Sequence, residues 1–203
     1  MKNLPNRLTL SRIAMVPFFL LFAVRLPSFA VAFFSFVGLG GAIAAVDGFI
    51  LRRGLIVSGV IFLLAFATDF IDGYVARKYK QVTDFGIFLD PIADKLLVSA
   101  ALVALTSRGI IGAWITTLII SREFIVTGIR LLAMNKGVVL AAGGFGKAKT
   151  FTQAAALILL LFSNFNLGFL NAINAGGTIL YIALIFTVLS GADYIIKNRS
   201  LFK

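Results

Sequence analysis

The stretch ATDFIDGYVARKYKQVTDFGIFLDPIADK, residues 67–95, sets charge into an otherwise apolar chain and holds five of its eight acidic residues. Asp69 and Asp72 stand three apart, and Asp90 and Asp94 four apart. At about 100° per residue each pair falls on one face of a helix. Two such helices facing each other would converge four carboxylates, which would repel and raise one another's pKa values. A divalent cation relieves that repulsion and commonly clamps the oxygens of a diphosphate. Gly73 lies beside the first pair and Gly86 four residues before Asp90, so a bulky ligand can approach the backbone there. Arg77, five residues after Asp72, can reach a phosphate or a carboxylate. The competing reading pairs these aspartates with Arg77, Lys78, Lys80 and Lys95 as a solvated helix–loop–helix. Two pairs beside long apolar runs favour function, because charge near hydrocarbon is costly. Asp84 reads as an ordinary loop residue.

Outward from this stretch, composition bounds the solvent. Of 203 residues, 60% are hydrophobic and 13% charged, against about half and a quarter in a soluble domain. The excess calls for a bilayer. The chain contains no cysteine, which excludes disulfides and thiolate metal sites, and no histidine. A general base must be a carboxylate, a lysine or the substrate itself. Metal ligands must be hard oxygens, which favours magnesium, manganese or calcium over zinc. The net charge of +11 is scattered between apolar runs and forms no solvated basic domain, so nucleic acid is not an expected partner.

Hydropathy places six spans at roughly 8–25, 54–73, 87–106, 110–130, 150–170 and 176–196. The apolar start is expected to be a retained first span, since no small-residue cleavage pattern follows it promptly. Residues 28–46 are apolar enough for a seventh span, but Gly38, Gly40 and Gly41 weaken a helix there. With six spans, only Arg25, Arg52, Arg53 and Arg108 of the 19 basic residues lie outside. A seventh would blur this positive-inside bias. Residues 28–46 are therefore expected to be re-entrant, interfacial, or an extension of a neighbouring helix. The expected fold is all-α: a polytopic bundle, one domain over 1–203, with both termini and the aspartates cytoplasmic.

Residues 69–94 follow the pattern D-x2-D-G-x2-A-R-x8-G-x3-D-x3-D, at Asp69, Asp72, Gly73, Ala76, Arg77, Gly86, Asp90 and Asp94. This resembles the signature of the CDP-alcohol phosphatidyltransferases at every defined position. The resemblance implies a six-helix membrane bundle, a cytoplasm-facing cavity, a homodimer and dependence on Mg2+ or Mn2+, with two ions expected. It implies metal ligation by Asp69, Asp72 and Asp90, with Asp94 as general base and further ligand. Gly73, Ala76 and Gly86 would make room for cytidine and diphosphate, and Arg77 would hold a phosphate.

The opening NLPNRLTLSRIAMVPFF, SREFIVTGIRLL at 121–132 and GKAKT at 146–150 resemble bacterial members that use sn-glycerol 3-phosphate as acceptor. Ser121 departs from the small apolar residue more usual there. The implied donor is CDP-diacylglycerol, in the bacterial inner membrane. The acceptor's own phosphate needs counter-charge, for which Arg122, Arg130, Lys147 and Lys149 are candidates; arginine's planar fork suits phosphate. The plainer reading makes them positive-inside anchors, with Arg122 neutralised by Glu123. Asn6 and Thr9 are candidates for the donor's head group, and Arg12 for the head group or the acceptor's phosphate. Asp193 and Lys197 form an expected i,i+4 pair. Weighed against this reading are another member of the family with a different acceptor, a membrane prenyltransferase, and a cation transporter with a carboxylate site.

Overall fold

Among the described residues the long apolar stretches are helical, because a backbone without water must satisfy its own polar groups. The computed structural model describes residues 4–79, 84–136, 144–163, 168 and 173–197, with the side chains of 4–9, 69–79, 84–91, 94, 134, 135, 144, 145 and 147 outside the description. Every regular element among the described residues is helical. In chain order they are α1 (Leu4–Ala23), α2 (Ser28–Phe34), a π-helical turn (Ser35–Leu39), α3 (Gly40–Tyr79), α4 (Asp84–Ser107), α5 (Ala113–Asn135), α6 (Gly144–Leu161) and α7 (Ala175–Lys197). Two helical stretches, Ser28–Thr68 and Ala175–Lys197, are long and apolar enough by themselves to cross a bilayer.

The residues group into two compact units. The first comprises Met1–Ile110 with Leu161–Asn166, and the second Ile111–Leu160 with Leu167–Lys203.

In the first unit α1 packs against α3 and α4. Phe19 and Phe62 meet at 6.4 Å between ring centroids, and Ile50, Leu55, Leu102 and Leu105 are fully buried in the same unit. Gly54 permits the close approach: a Cβ there would collide with the carbonyl oxygen of Phe22. The end of α1 is closed by Arg108. Its Nε donates to Ala23 O (2.7 Å), and one Nη donates to Phe22 O (3.1 Å) and Ile50 O (2.9 Å). Terminal helix carbonyls lack intrahelical donors, and a cation suits that end of the helix dipole. Burial lowers the Arg108 pKa from its usual value, with Arg25 adding to the effect and Asp47 opposing it. A guanidinium stays protonated regardless.

Residues 28–46 are helical and run into α3, so the extension of a neighbouring helix is the arrangement adopted. The break falls at Gly38, whose φ of +87° puts it in the left-handed region. Gly40 and Gly41 open α3, where glycine interrupts little. At 1.5 Å per residue the 40 residues of α3 span about 60 Å, roughly twice the hydrocarbon thickness. The expected span at 54–73 covers only about 20 residues inside this helix. The expected 150–170 span is shifted as well: α6 starts at Gly144 and ends at Leu161, with a turn at 162–163.

In the second unit α5 packs against α7, with Val126, Ile129 and Tyr194 buried together. Gly176 fits tightly against Leu160, to which a Cβ would approach within 2.9 Å. Outward faces in both units are apolar, among them Phe18, Leu64, Phe124, Phe151, Ile185 and Val188, with Phe36 91% exposed. Exposed apolar side chains in such number suit contact with lipid. Hydroxyls on these helices fold back: Ser58, Thr68, Thr106, Thr117 and Thr187 each donate to the carbonyl four residues earlier. That satisfies them inside their own helix.

Candidate active site

The aspartates lie on helical backbone. Asp69 and Asp72 are carried by the last part of α3, and Asp90 and Asp94 by the first part of α4, all in the first unit. The three- and four-residue spacings therefore fall on true helical register. Each pair occupies adjacent turns of one face. Gly73, Ala76 and Arg77 share the end of α3, and Gly86 the start of α4. The side chains of Asp69, Asp72, Ala76, Arg77, Asp90 and Asp94 lie outside the described residues, as do those of Asn6 and Thr9 on α1 and Lys147 on α6. The donor set fits a hard divalent cation: carboxylates on helical register, in a chain without histidine or cysteine.

The second unit carries a polar group in otherwise apolar packing. Arg122 and Glu123 sit midway along α5, Lys149 one turn into α6, and Ser190 and Tyr194 one turn apart on α7. The Lys149 ammonium forms an ion pair with Glu123 Oε1, and Lys149 is 5% exposed. Arg122 Nη1 approaches the same oxygen at 3.4 Å, while its Nη2 donates to Ser190 Oγ at 2.5 Å. One carboxylate thus bridges two cations. A buried ion pair needs such extra hydrogen bonds to offset the desolvation of its charges. The formal balance of the trio is one net positive charge.

Arg130 stands apart from the trio. Its Nε donates to Tyr194 Oη at 3.3 Å, and its guanidinium carbon lies 5.5 Å from the centre of the Tyr194 ring. The ring accepts the cation through its negative face. Arg12, on α1, belongs to the first unit and is 4% exposed. The plainer reading of Arg122 is met in part: Glu123 does contact it, but shares its charge with Lys149.

Sequence reasoning missed Ser190 and Tyr194. The available signal was polar residues at 187, 190 and 194 on a last helix that is otherwise strongly apolar, a spacing that follows one helical face. The expected pair Lys197–Asp193 is present at 2.9 Å on the surface.

Comparison with known proteins gives these features a context. Residues 2–189 match the family model described as CDP-alcohol phosphatidyltransferase. The CDP-diacylglycerol–glycerol-3-phosphate 3-phosphatidyltransferase of Bacillus subtilis is 42% identical over 203 residues, covering 100% of this chain and 98% of that protein. A probable phosphatidylglycerophosphate synthase of Mycobacterium tuberculosis is 39% identical, covering 96% of this chain and 81% of the relative. The CDP-diacylglycerol–glycerol-3-phosphate 3-phosphatidyltransferase of Rickettsia felis is 36% identical over 95% of this chain and 93% of its own. The family match takes in both units and all four signature aspartates. The chain belongs to the CDP-alcohol phosphatidyltransferase family.

Proposed function

We propose that this protein transfers the phosphatidyl group of CDP-diacylglycerol to sn-glycerol 3-phosphate, giving phosphatidylglycerophosphate and CMP. The observation that carries the reading is similarity along the whole chain to relatives named for that reaction. The net positive, largely buried Arg122–Glu123–Lys149 group agrees with an acceptor that brings its own phosphate.

Asp69, Asp72 and Asp90 are assigned to hold Mg2+ or Mn2+, as two ions, with Asp94 contributing. When bound, the metal neutralises charge on the diphosphate and on departing CMP. Asp94 accepts the proton of the acceptor's primary hydroxyl as that oxygen bonds to the diacylglycerol-linked phosphorus. The bond from this phosphorus to the bridging oxygen breaks, and CMP leaves with the electron pair. Gly73, Ala76 and Gly86 leave room for cytidine and diphosphate. Arg77 holds a donor phosphate, and Asn6 and Thr9 contact the donor's head group. Arg122 and Lys149, with Arg130 and Lys147, supply counter-charge to the acceptor's phosphate, and Arg12 joins Asn6 and Thr9 on α1 toward the donor's head group.

Residues 1–203 act as one integral-membrane catalytic domain of a homodimer in the bacterial inner membrane. Six spans place both termini and the aspartates on the cytoplasmic side. The positive-inside distribution supports this orientation, and the apolar exterior supports lipid as the surrounding partner.

The test is acceptor use. Purified protein in detergent, with CDP-diacylglycerol and magnesium, is offered glycerol 3-phosphate, serine, inositol phosphate or phosphatidylglycerol separately. CMP release with glycerol 3-phosphate alone is expected. Release with serine but not glycerol 3-phosphate would overturn the acceptor assignment.

A further inference from the structure

Most described hydroxyls on these helices bond back to their own backbone. Ser190 instead takes a hydrogen bond from another helix, from Arg122 Nη2 at 2.5 Å, and is itself buried. Its neighbour Gly191 makes the same contact possible. A Cβ at position 191 would stand 3.1 Å from Arg122 Cγ and 3.7 Å from Nε. The glycine therefore leaves a slot for the arginine stem, and the serine fixes the head. Glu123 holds the guanidinium from a second direction through Nη1. The Nε–H is buried and has no hydrogen-bond partner among the described residues.

We propose that Ser190, seated beside Gly191 on α7, is a positioning residue that fixes the Arg122 guanidinium for the acceptor's phosphate. This rests on the glycerol 3-phosphate reading above. A long arginine side chain loses much rotamer freedom on binding, and a fork fixed beforehand loses less. Ser190 holds one terminal nitrogen and Glu123 the other, which sets the plane of the fork. The unpartnered Nε–H and the second protons of the two terminal nitrogens are then left to an oxyanion. Ser190 acts only through Arg122 and contacts no reacting atom.

Steady-state kinetics test this with both substrates varied separately. Ser190→Ala should raise KM for glycerol 3-phosphate about tenfold, the loss expected for one hydrogen bond to a charged group. KM for CDP-diacylglycerol and kcat should change by less than about twofold, since uniform binding of one substrate is what is lost. Ser190→Thr, which keeps the hydroxyl, should restore the acceptor KM. In an Arg122→Ala background Ser190→Ala should add nothing, as expected of a residue acting through another. Equal effects on both substrates, an additive effect in that background, or an unchanged acceptor KM would each overturn the proposal. If Ser190→Ala does not fold, Gly191→Ala is read in its place, with the same selective rise expected and the same outcomes against it. The wild-type control separates the two levels. Failure of wild-type protein to release CMP with glycerol 3-phosphate overturns the acceptor reading and this inference with it. Normal wild-type turnover with an unmoved Ser190→Ala acceptor KM overturns this inference alone.

Discussion

Asp94→Asn keeps the size of the side chain and removes its negative charge and its basicity. Turnover should fall by about 10²–10⁴-fold, the usual share of a general base, while thermal unfolding in detergent is unchanged. Near-normal CMP release would remove Asp94 as base. Glu123 is predicted to matter in a different way. Its carboxylate is shared by Arg122 and Lys149, so Glu123→Gln removes the negative charge that bridges the two cations. Breaking a buried pair typically costs about 3–5 kcal/mol, and the unfolding midpoint should drop accordingly. These two residues differ in legibility. The role proposed for Asp94 rests on a family resemblance carried by spacing along the chain. The sharing of Glu123 depends on Lys149 coming from another helix, and no local pattern announces that.

Among the elements, α3 carries the sharpest contrast. Gly54 lies against the Phe22 carbonyl of α1, while Gly48, six residues earlier on the same helix, has open space where a Cβ would stand. Gly54→Ala must push α1 and α3 apart, at about 1–3 kcal/mol. Gly48→Ala removes only backbone freedom from the unfolded chain and should stabilise by about 0.5–1 kcal/mol. Thermal unfolding of the two variants side by side checks both signs. Hydropathy located α1, α4, α5 and α7 to within a few residues, because each is bounded by polar or turn residues. It could not locate the start of α3. Residues 28–46 carry no charge before Asp47, so nothing in the pattern says whether the chain turns back or continues. The positive φ at Gly38 decides it, and a dihedral angle is not visible in composition.

For the whole molecule, the proposed activity should vanish on chelation of divalent cations and return with Mg2+ or Mn2+, measured as CMP release. Persistence in excess chelator would sink the metal assignment. Orientation can be read with single cysteines, since the chain has none of its own. On intact cells a membrane-impermeant maleimide should label Arg53→Cys, and should label Lys136→Cys only after lysis; the reverse pattern would invert the proposed topology. The sequence by itself determined the all-helical membrane class and the family. Apolar excess favours a bilayer over water as solvent, and helical spacing of aspartates and glycines survives in one dimension because a helix is a local structure. Only the tertiary structure decided how the basic residues are used. Arg122, Lys149 and Ser190 come from three helices, and their convergence depends on how α5 and α7 pack and where α6 begins. It also decided that Arg108, one of the few basic residues assigned outside, closes the end of α1 by donating to carbonyls 58 to 86 residues away. A side chain's charge is fixed by its own chemistry, but its partner is fixed by what distant segments bring within hydrogen-bond reach.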